Sequence, residues 1–365
     1  MGRLKGDVLI VGSAPFETVG DALQEFATRL GDRVSTLPDG EVGVRNAFIN
    51  VLPQLTYDKN PDLEPINVVS IEKAVQEPDE HGYEAMLASL GTYKLKPGVT
   101  ETRFDLHFGH AAVESYETFA RLRDEGVIGE GVRFQVDIPT TANAIDLFFP
   151  VPSDRPIVVK AYEESVKEMI ALLLRTIPAD SLAIQLDYCA EVVNCSGALD
   201  DLLPDGSSLP PLDVRLAYYT SAEYLSPLAE AIPDEVVLGY HLCYGTWGGW
   251  PGSRVPDLGL ITRLANGLVA NTHHRVDYVH LPTMPNPTDE FFAPLADLDI
   301  GDTKVFLGIE LADGIDALMR RIEQARRHLP DFGLAHYCGY GRERRSRVIE
   351  LLEDLRVASD YLTLR

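Results

Sequence analysis

Val236-Val237-Leu238-Gly239-Tyr240-His241-Leu242-Cys243-Tyr244-Gly245 is the stretch on which the reading of this chain turns. Its first part is nearly continuous in apolar residues, the pattern of a parallel strand covered on both faces. It ends with an imidazole and a thiol two residues apart. On an extended strand, residues i and i+2 face the same side, so His241 and Cys243 are aimed at one point.

Seven more runs of the same kind lie on either side, at residues 7–12, 33–37, 133–138, 182–187, 276–281, 304–309 and 332–337. Helical patterns separate most of them, for example 163–175 (apolar at Val166, Met169, Ile170, Leu173 and Leu174) and 315–329. Strands alternating with helices predict a parallel sheet. Eight such units predict an α/β chain folded as a (β/α)8 TIM barrel, one domain over 1–365. A long insertion, residues 40–130, separates the second and third strands and is expected to cover the barrel mouth, with hairpin-like pieces at 67–71 and 102–107. A Gly-, Pro- and Ser-rich stretch, 196–212, reads as a surface excursion.

Active sites of such barrels form at the C-terminal strand ends, and polar residues gather there. Ser13 follows the first strand, Asp39, Glu41 and Arg45 the second, Asp187 and Glu191 the fourth. His280 and Glu310 end the sixth and seventh, and Cys338-Gly339-Tyr340-Gly341-Arg342 follows the eighth. Closing the barrel carries Cys338 toward His241 and Cys243. Two sulfurs and an imidazole are the ligand set that zinc prefers. Four cysteines in a chain of this size suggest metal or thiol chemistry rather than a disulfide framework.

The bulk numbers narrow the field. A net charge of -24 repels nucleic acid and anionic lipid. No apolar run is long enough for a membrane span. The N-terminus runs straight into a strand with no signal-peptide pattern, so a cytoplasmic protein acting on small molecules is expected.

The segments Val11-Gly12-Ser13-Ala14-Pro15, Ile184-Gln185-Leu186-Asp187, His241-Leu242-Cys243 and Cys338-Gly339 resemble the zinc-dependent barrel of cobalamin-independent methionine synthase. The chain resembles the catalytic half alone, within a superfamily that includes uroporphyrinogen decarboxylase and zinc thiol alkyltransferases. Pro38-Asp39-Gly40-Glu41 and the Cys338–Arg342 segment are similar to bacterial relatives of unassigned reaction. The resemblance implies zinc on His241, Cys243 and Cys338, and transfer of a methyl or other alkyl group to a small-molecule thiol. Methyl-folate, an aryl methyl ether and an epoxide are all open as donors. It also implies that Ser13 and Asp187 contact an amino-acid substrate.

Two departures stand out. The synthase's zinc-ligating glutamate has no counterpart in His280-Leu281-Pro282, which leaves His280, Glu310, water or substrate for the fourth position. Its Asp-Glu-Pro after the fourth strand is Asp187-Tyr188-Cys189 here.

Other roles stay open between chemistry and structure. Asp187 either pairs with an ammonium or caps a helix. Asp39, Glu41 and Arg45 either bind a second substrate or form a charged turn. Glu191 is expected beside the substrate or behind it. Trp247 and Trp250 either stack on a planar ring or pack a loop. Arg342 is expected to take a carboxylate or phosphate. Rival functions are a metal-independent decarboxylase or lyase, using Asp39 and arginines, and a non-catalytic ligand-binding barrel.

Overall fold

The structure, a computed structural model, describes residues 4–75, 89–200, 209–246 and 249–363. The strands are β1 (Val8–Leu9), β2 (Thr36–Pro38), β3 (Leu63–Asn67), β4 (Thr92–Leu95), β5 (Arg133–Pro139), β6 (Leu182–Tyr188), β7 (Val237–Leu242), β8 (Tyr278–Pro282), β9 (Lys304–Glu310) and β10 (Gly333–His336). Eight of them form one parallel sheet in the order β1-β10-β9-β8-β7-β6-β5-β2. A parallel bridge between Val8 and Val34 joins the two edges, so the sheet is a nearly closed (β/α)8 barrel. At this seam the Ser35 hydroxyl accepts from the N–H groups of Lys5 and Gly6, at 2.9 and 2.8 Å. A Cβ on Gly6 would stand 2.3 Å from the Arg33 carbonyl oxygen, so only glycine lets the edges meet.

Helices pack around the outside, each by an apolar stripe. Val19–Leu30 buries Ala22, Leu23, Phe26, Ala27 and Leu30, spaced at the helical period, and Thr18 caps it by accepting from the Asp21 N–H. The 163–175 pattern falls in the helix Arg155–Thr176, and the 315–329 pattern starts with the helix Ile315–Arg326 but outlasts it by three residues. No described helix is long and apolar enough to cross a membrane.

Inside the barrel is a separate small core that includes Leu9, Val11, Val237, Tyr278 and Phe306. The Tyr278 ring crosses toward β7, where a Cβ on Gly239 would lie 2.0 Å from its Cζ. Its hydroxyl donates to Gln185 Oε1 (3.1 Å), and Gln185 Nε2 donates to the Val11 carbonyl (2.8 Å). Gln135 Nε2 reaches the Ile10 and Val11 carbonyls, both at 3.2 Å. β1 is only two residues long, so these side-chain amides serve the buried carbonyls just past its end.

Between β2 and β5 the chain forms helical turns at Gly43–Val51 and Pro53–Tyr57, the β3–β4 hairpin and the helix His107–Asp124. The hairpin pairs Leu63–Asn67 with Thr92–Leu95 in antiparallel fashion, not 67–71 with 102–107 as the sequence suggests. Ser70 instead caps a helical turn at Ile71–Ala74, and the Phe104 N–H donates to Ser165 Oγ (3.0 Å) rather than to a strand. Of the 196–212 excursion, residues 201–208 lie outside the described residues, and Leu212 opens a helix.

The Gly239–Tyr278 contact leads to a test. Gly239→Ala forces a methyl into an aromatic ring held on both sides, and overpacking of this kind costs roughly 1–3 kcal/mol. Denaturant titration should show at least that loss, and an unchanged midpoint would refute the interior packing.

Candidate metal centre

β7 carries His241 inside the strand and Cys243 one residue beyond its end, and both are buried. Cys338 follows β10 by two residues. Its Sγ lies 3.9 Å from Cys243 Sγ and 3.7 Å from His241 Nε2, and the three donor atoms lie within 4.8 Å of one another. The sulfurs are free thiols, since a disulfide spans only about 2.05 Å. Around a tetrahedral zinc, with sulfur at about 2.3 Å and nitrogen at about 2.0–2.1 Å, neighbouring donors sit about 3.5–3.8 Å apart. The triad fits that size. Among the described residues it is the one group of three or more His, Cys, Asp or Glu placed to hold a metal.

The protonation chemistry agrees. A hydrogen bond with Cys189 pushes the Cys243 thiol up, and burial adds to it. The contact with Cys243, then burial, does the same for Cys338. Two thiols in contact, Cys243 buried and Cys338 half-buried, resist ionising side by side, and a coordinated metal deprotonates such thiols.

His280 stands behind His241, opposite it in the β7–β8 register. Its Nδ1 lies 2.6 Å from His241 Nδ1 and its Nε2 lies 3.0 Å from the His336 carbonyl oxygen. Burial, then the neighbouring His241, hold it well below the usual imidazole range. Both nitrogens are engaged away from the sulfurs, and His280 is not part of the donor triad. Nor is Glu310. Its Oε1 accepts from the Ala312 N–H (2.7 Å), and its Oε2 is 3.7 Å from His336 Nε2. Burial raises Glu310 to about 8 and lowers His336 to about 4.

The triad sits on the wall of a cleft whose other walls include Ser13, Glu41, Asp137, Asp187 and Arg342. Residues 46–50 of the β2–β5 insertion also line it. Glycines make the close approach possible. A Cβ on Gly339 would lie 2.5 Å from Ser13 Oγ, and one on Gly341 would lie 2.7 Å from the Asn46 carbonyl oxygen. Asp187 lies within β6 and accepts from Gln185 Nε2 (3.0 Å), so it does not cap the following helix.

Asp137, which the sequence reading passes over, sits on β5 in the same relation, accepting from Gln135 Nε2 (2.9 Å). The signal for it was a repeated Gln-X-Asp, at 135–137 and 185–187. Burial raises Asp187 to about 8. Burial and then the charge of Asp187 push both Asp137 and Glu41 well up. Asn143 adds a buried carbonyl oxygen, Oδ1, with no hydrogen-bond partner.

Asp39 and Arg45 serve the loop instead. Arg45 Nη2 donates to Asp39 Oδ2 (2.8 Å), as does Ser115 Oγ (2.6 Å), and Oδ1 accepts from the Glu41 N–H (2.7 Å). Glu191 is fully buried outside the cleft wall and accepts from the Tyr224 hydroxyl; burial raises it to about 7. Trp250 stacks on Tyr337, with centroids 4.5 Å apart, and Trp247 lies outside the described residues.

No family model matches the chain, and a search of curated proteins finds no match. Solved structures share its fold. A B12-independent methionine synthase from Shewanella sp. W3-18-1, in complex with selenomethionine, superposes with a TM-score of 0.60. It is 13% identical, over 99% of this chain and 98% of that one. A Listeria monocytogenes chain named for vitamin-B12-independent methionine synthase gives 0.53 at 17% identity, over 94% and 86%. The fold is that of cobalamin-independent methionine synthase-like barrels.

The burial of Glu310 makes a pH prediction. A carboxyl raised from about 4.3 unfolded to about 8 folded stabilises fully below pH 4.3, and this contribution is lost as pH rises to 8. Glu310→Gln keeps the acceptor for Ala312 and gives His336 Nε2 a donor. Its stability should therefore lose less between pH 5 and 8, by up to about 1.4 kcal/mol per pH unit. Superimposable pH–stability curves would count against the raised carboxyl.

Proposed function

We propose that the protein is a zinc-dependent transferase that moves a methyl or other alkyl group onto a small-molecule thiol. The observation that carries this reading is the spacing of His241 Nε2, Cys243 Sγ and Cys338 Sγ. With three protein donors, a fourth position is left for an incoming thiol, as in catalytic rather than structural sites. Zinc bound there supplies the Lewis acidity that makes a substrate thiol a thiolate at neutral pH.

The chain's own residues do the rest. Asp187, Asp137 and Glu41 hold a cationic group of the substrate, an ammonium of the kind the sequence resemblance implies. Ser13 and Arg342 face the same cleft and hold its polar end. Thiolate attack forms a sulfur–carbon bond and breaks the bond from that carbon to the leaving group. The leaving group's proton comes from a carboxyl facing the cleft, since His280 and Glu310 are sealed behind it. The insertion's residues 46–50 form the outer wall and exclude water. The rival decarboxylase reading needs Asp39 and an arginine free to act, and both are committed to each other.

Metal analysis of purified protein should find about one zinc per chain. Cys243→Ser and Cys338→Ser should each lose most of it, because each removes a soft ligand. Cys189→Ser and Cys195→Ser should keep it; Cys195 is buried away from the triad, its thiol raised to about 12 chiefly by burial. Cobalt-substituted protein should change its visible spectrum on adding an aminothiol, and Asp187→Asn should weaken that binding about tenfold or more. Zinc retained in both ligand variants, or a cobalt spectrum indifferent to thiols, would overturn the reading.

A further inference from the structure

The imidazole behind His241 decides which His241 nitrogen is free. The relay runs from His241 Nδ1 to His280 Nδ1 (2.6 Å) and from His280 Nε2 to the His336 carbonyl oxygen (3.0 Å). A carbonyl oxygen only accepts, so His280 Nε2 carries a hydrogen and donates it. A neutral imidazole has one N–H, so His280 Nδ1 is bare and accepts. His241 Nδ1 therefore carries the hydrogen between the rings, and His241 Nε2 is bare. That bare nitrogen is the atom 3.7 Å from Cys338 Sγ.

We propose that His280 is the positioning residue of the metal centre: anchored on the His336 carbonyl, it locks His241 in the Nδ1–H tautomer and presents Nε2 to the metal without binding metal itself. The arrangement is built into the barrel. Parallel register sets His280 opposite His241. A Cβ on Gly308 would lie 2.6 Å from His280 Nε2, so glycine on β9 leaves the ring room to reach β10. His336 is pinned in turn, its Nδ1 donating to the Cys338 carbonyl oxygen (2.9 Å). One relay thus ties the strand that carries the imidazole ligand to the turn that carries Cys338.

Metal-bound histidines usually pass their second N–H to a carboxylate, a carbonyl or water. A neutral imidazole in that place orients the ligand without adding negative charge beside two sulfurs. An imidazolium at His280 would point both of its hydrogens at groups that then have to accept, and would leave His241 protonated on Nε2, unable to bind.

The inference rests on the metal reading above, but its test needs no catalysis. In ¹⁵N spectra of histidine-labelled protein, His241 should be protonated at Nδ1 with and without zinc, and zinc should move its Nε2 signal. His280→Leu removes the acceptor; His280→Asn keeps one near the Nδ1 position. Competition with a chelator should show zinc bound about 10–100-fold more weakly by His280→Leu, with much of that recovered in His280→Asn. Thermal unfolding of the metal-free variants checks that they fold. A folded His280→Leu with unchanged zinc affinity would overturn the proposal, as would a spectrum placing zinc on His280 or on His241 Nδ1. If His280→Leu does not fold, the wild-type spectrum decides alone. Failure of the wild-type protein to take zinc would sink the metal reading, whereas an Nε2–H tautomer of His241 in metal-free protein would sink the relay.

Discussion

Cys338 meets His241 and Cys243 only because the sheet curls, and the rest of the site depends on that curl. β7 and β10 are three steps apart in the strand order. At about 4.8 Å per step, a flat sheet would hold them about 14 Å apart, whereas the sulfurs are 3.9 Å apart. The curl has to be accommodated inside, and glycines do so. Gly239 admits the Tyr278 ring, and a Cβ on Gly333 would lie 2.4 Å from Phe306 Cδ1. Both aromatic residues belong to the small inner core, so the residues that fill the barrel also set how tightly it closes. The two glutamines that serve the Ile10 and Val11 carbonyls brace the short first strand against β5 and β6. The same glutamines donate to Asp137 and Asp187. Closing the barrel and orienting the acidic wall of the cleft are therefore done by one set of hydrogen bonds.

The strand pattern was legible in the sequence because buried parallel strands carry their signal locally. All eight runs contain or overlap a barrel strand, with ends displaced by a few residues. The triad was legible for a related reason: an i, i+2 pair on a strand end and a Cys-Gly at another need only closure to meet. The hairpin was not legible, because β3 and β4 pair across more than twenty residues and no local pattern reports a partner that distant. His280 was half legible. Alternation along β8 predicts that it points inward, but whether an inward imidazole joins the two sulfurs or stands behind His241 depends on the β7–β8 register and on the space left by Gly308. Asp137 was hidden by its neighbours. Between Val136 and Ile138 it reads as one more position of a buried strand, and only the echo of Gln-X-Asp in β6 marks it.

The cleft carries two unlike kinds of group side by side, and Asp187 stands opposite His241 in the β6–β7 register. One wall is soft: two sulfurs and an imidazole whose supporting relay is neutral. The opposite character belongs to Glu41, Asp137 and Asp187, whose raised proton affinities mean that a proton or a bound cation must accompany them at neutral pH. Arg45, the arginine whose charge acts on Glu41, is already bidentate on Asp39. On the proposed function, a molecule that carries both a thiol and an ammonium finds a partner for each in this cleft. The net charge of -24 does little to blur this. Surface charges more than about 8–10 Å away are screened by physiological salt, whereas groups packed against one another inside a barrel are not. Selectivity on this reading comes from the buried contrast between sulfur and carboxylate, and anything that neutralised the acidic wall from within would remove the reason for a thiol to arrive sulfur-first.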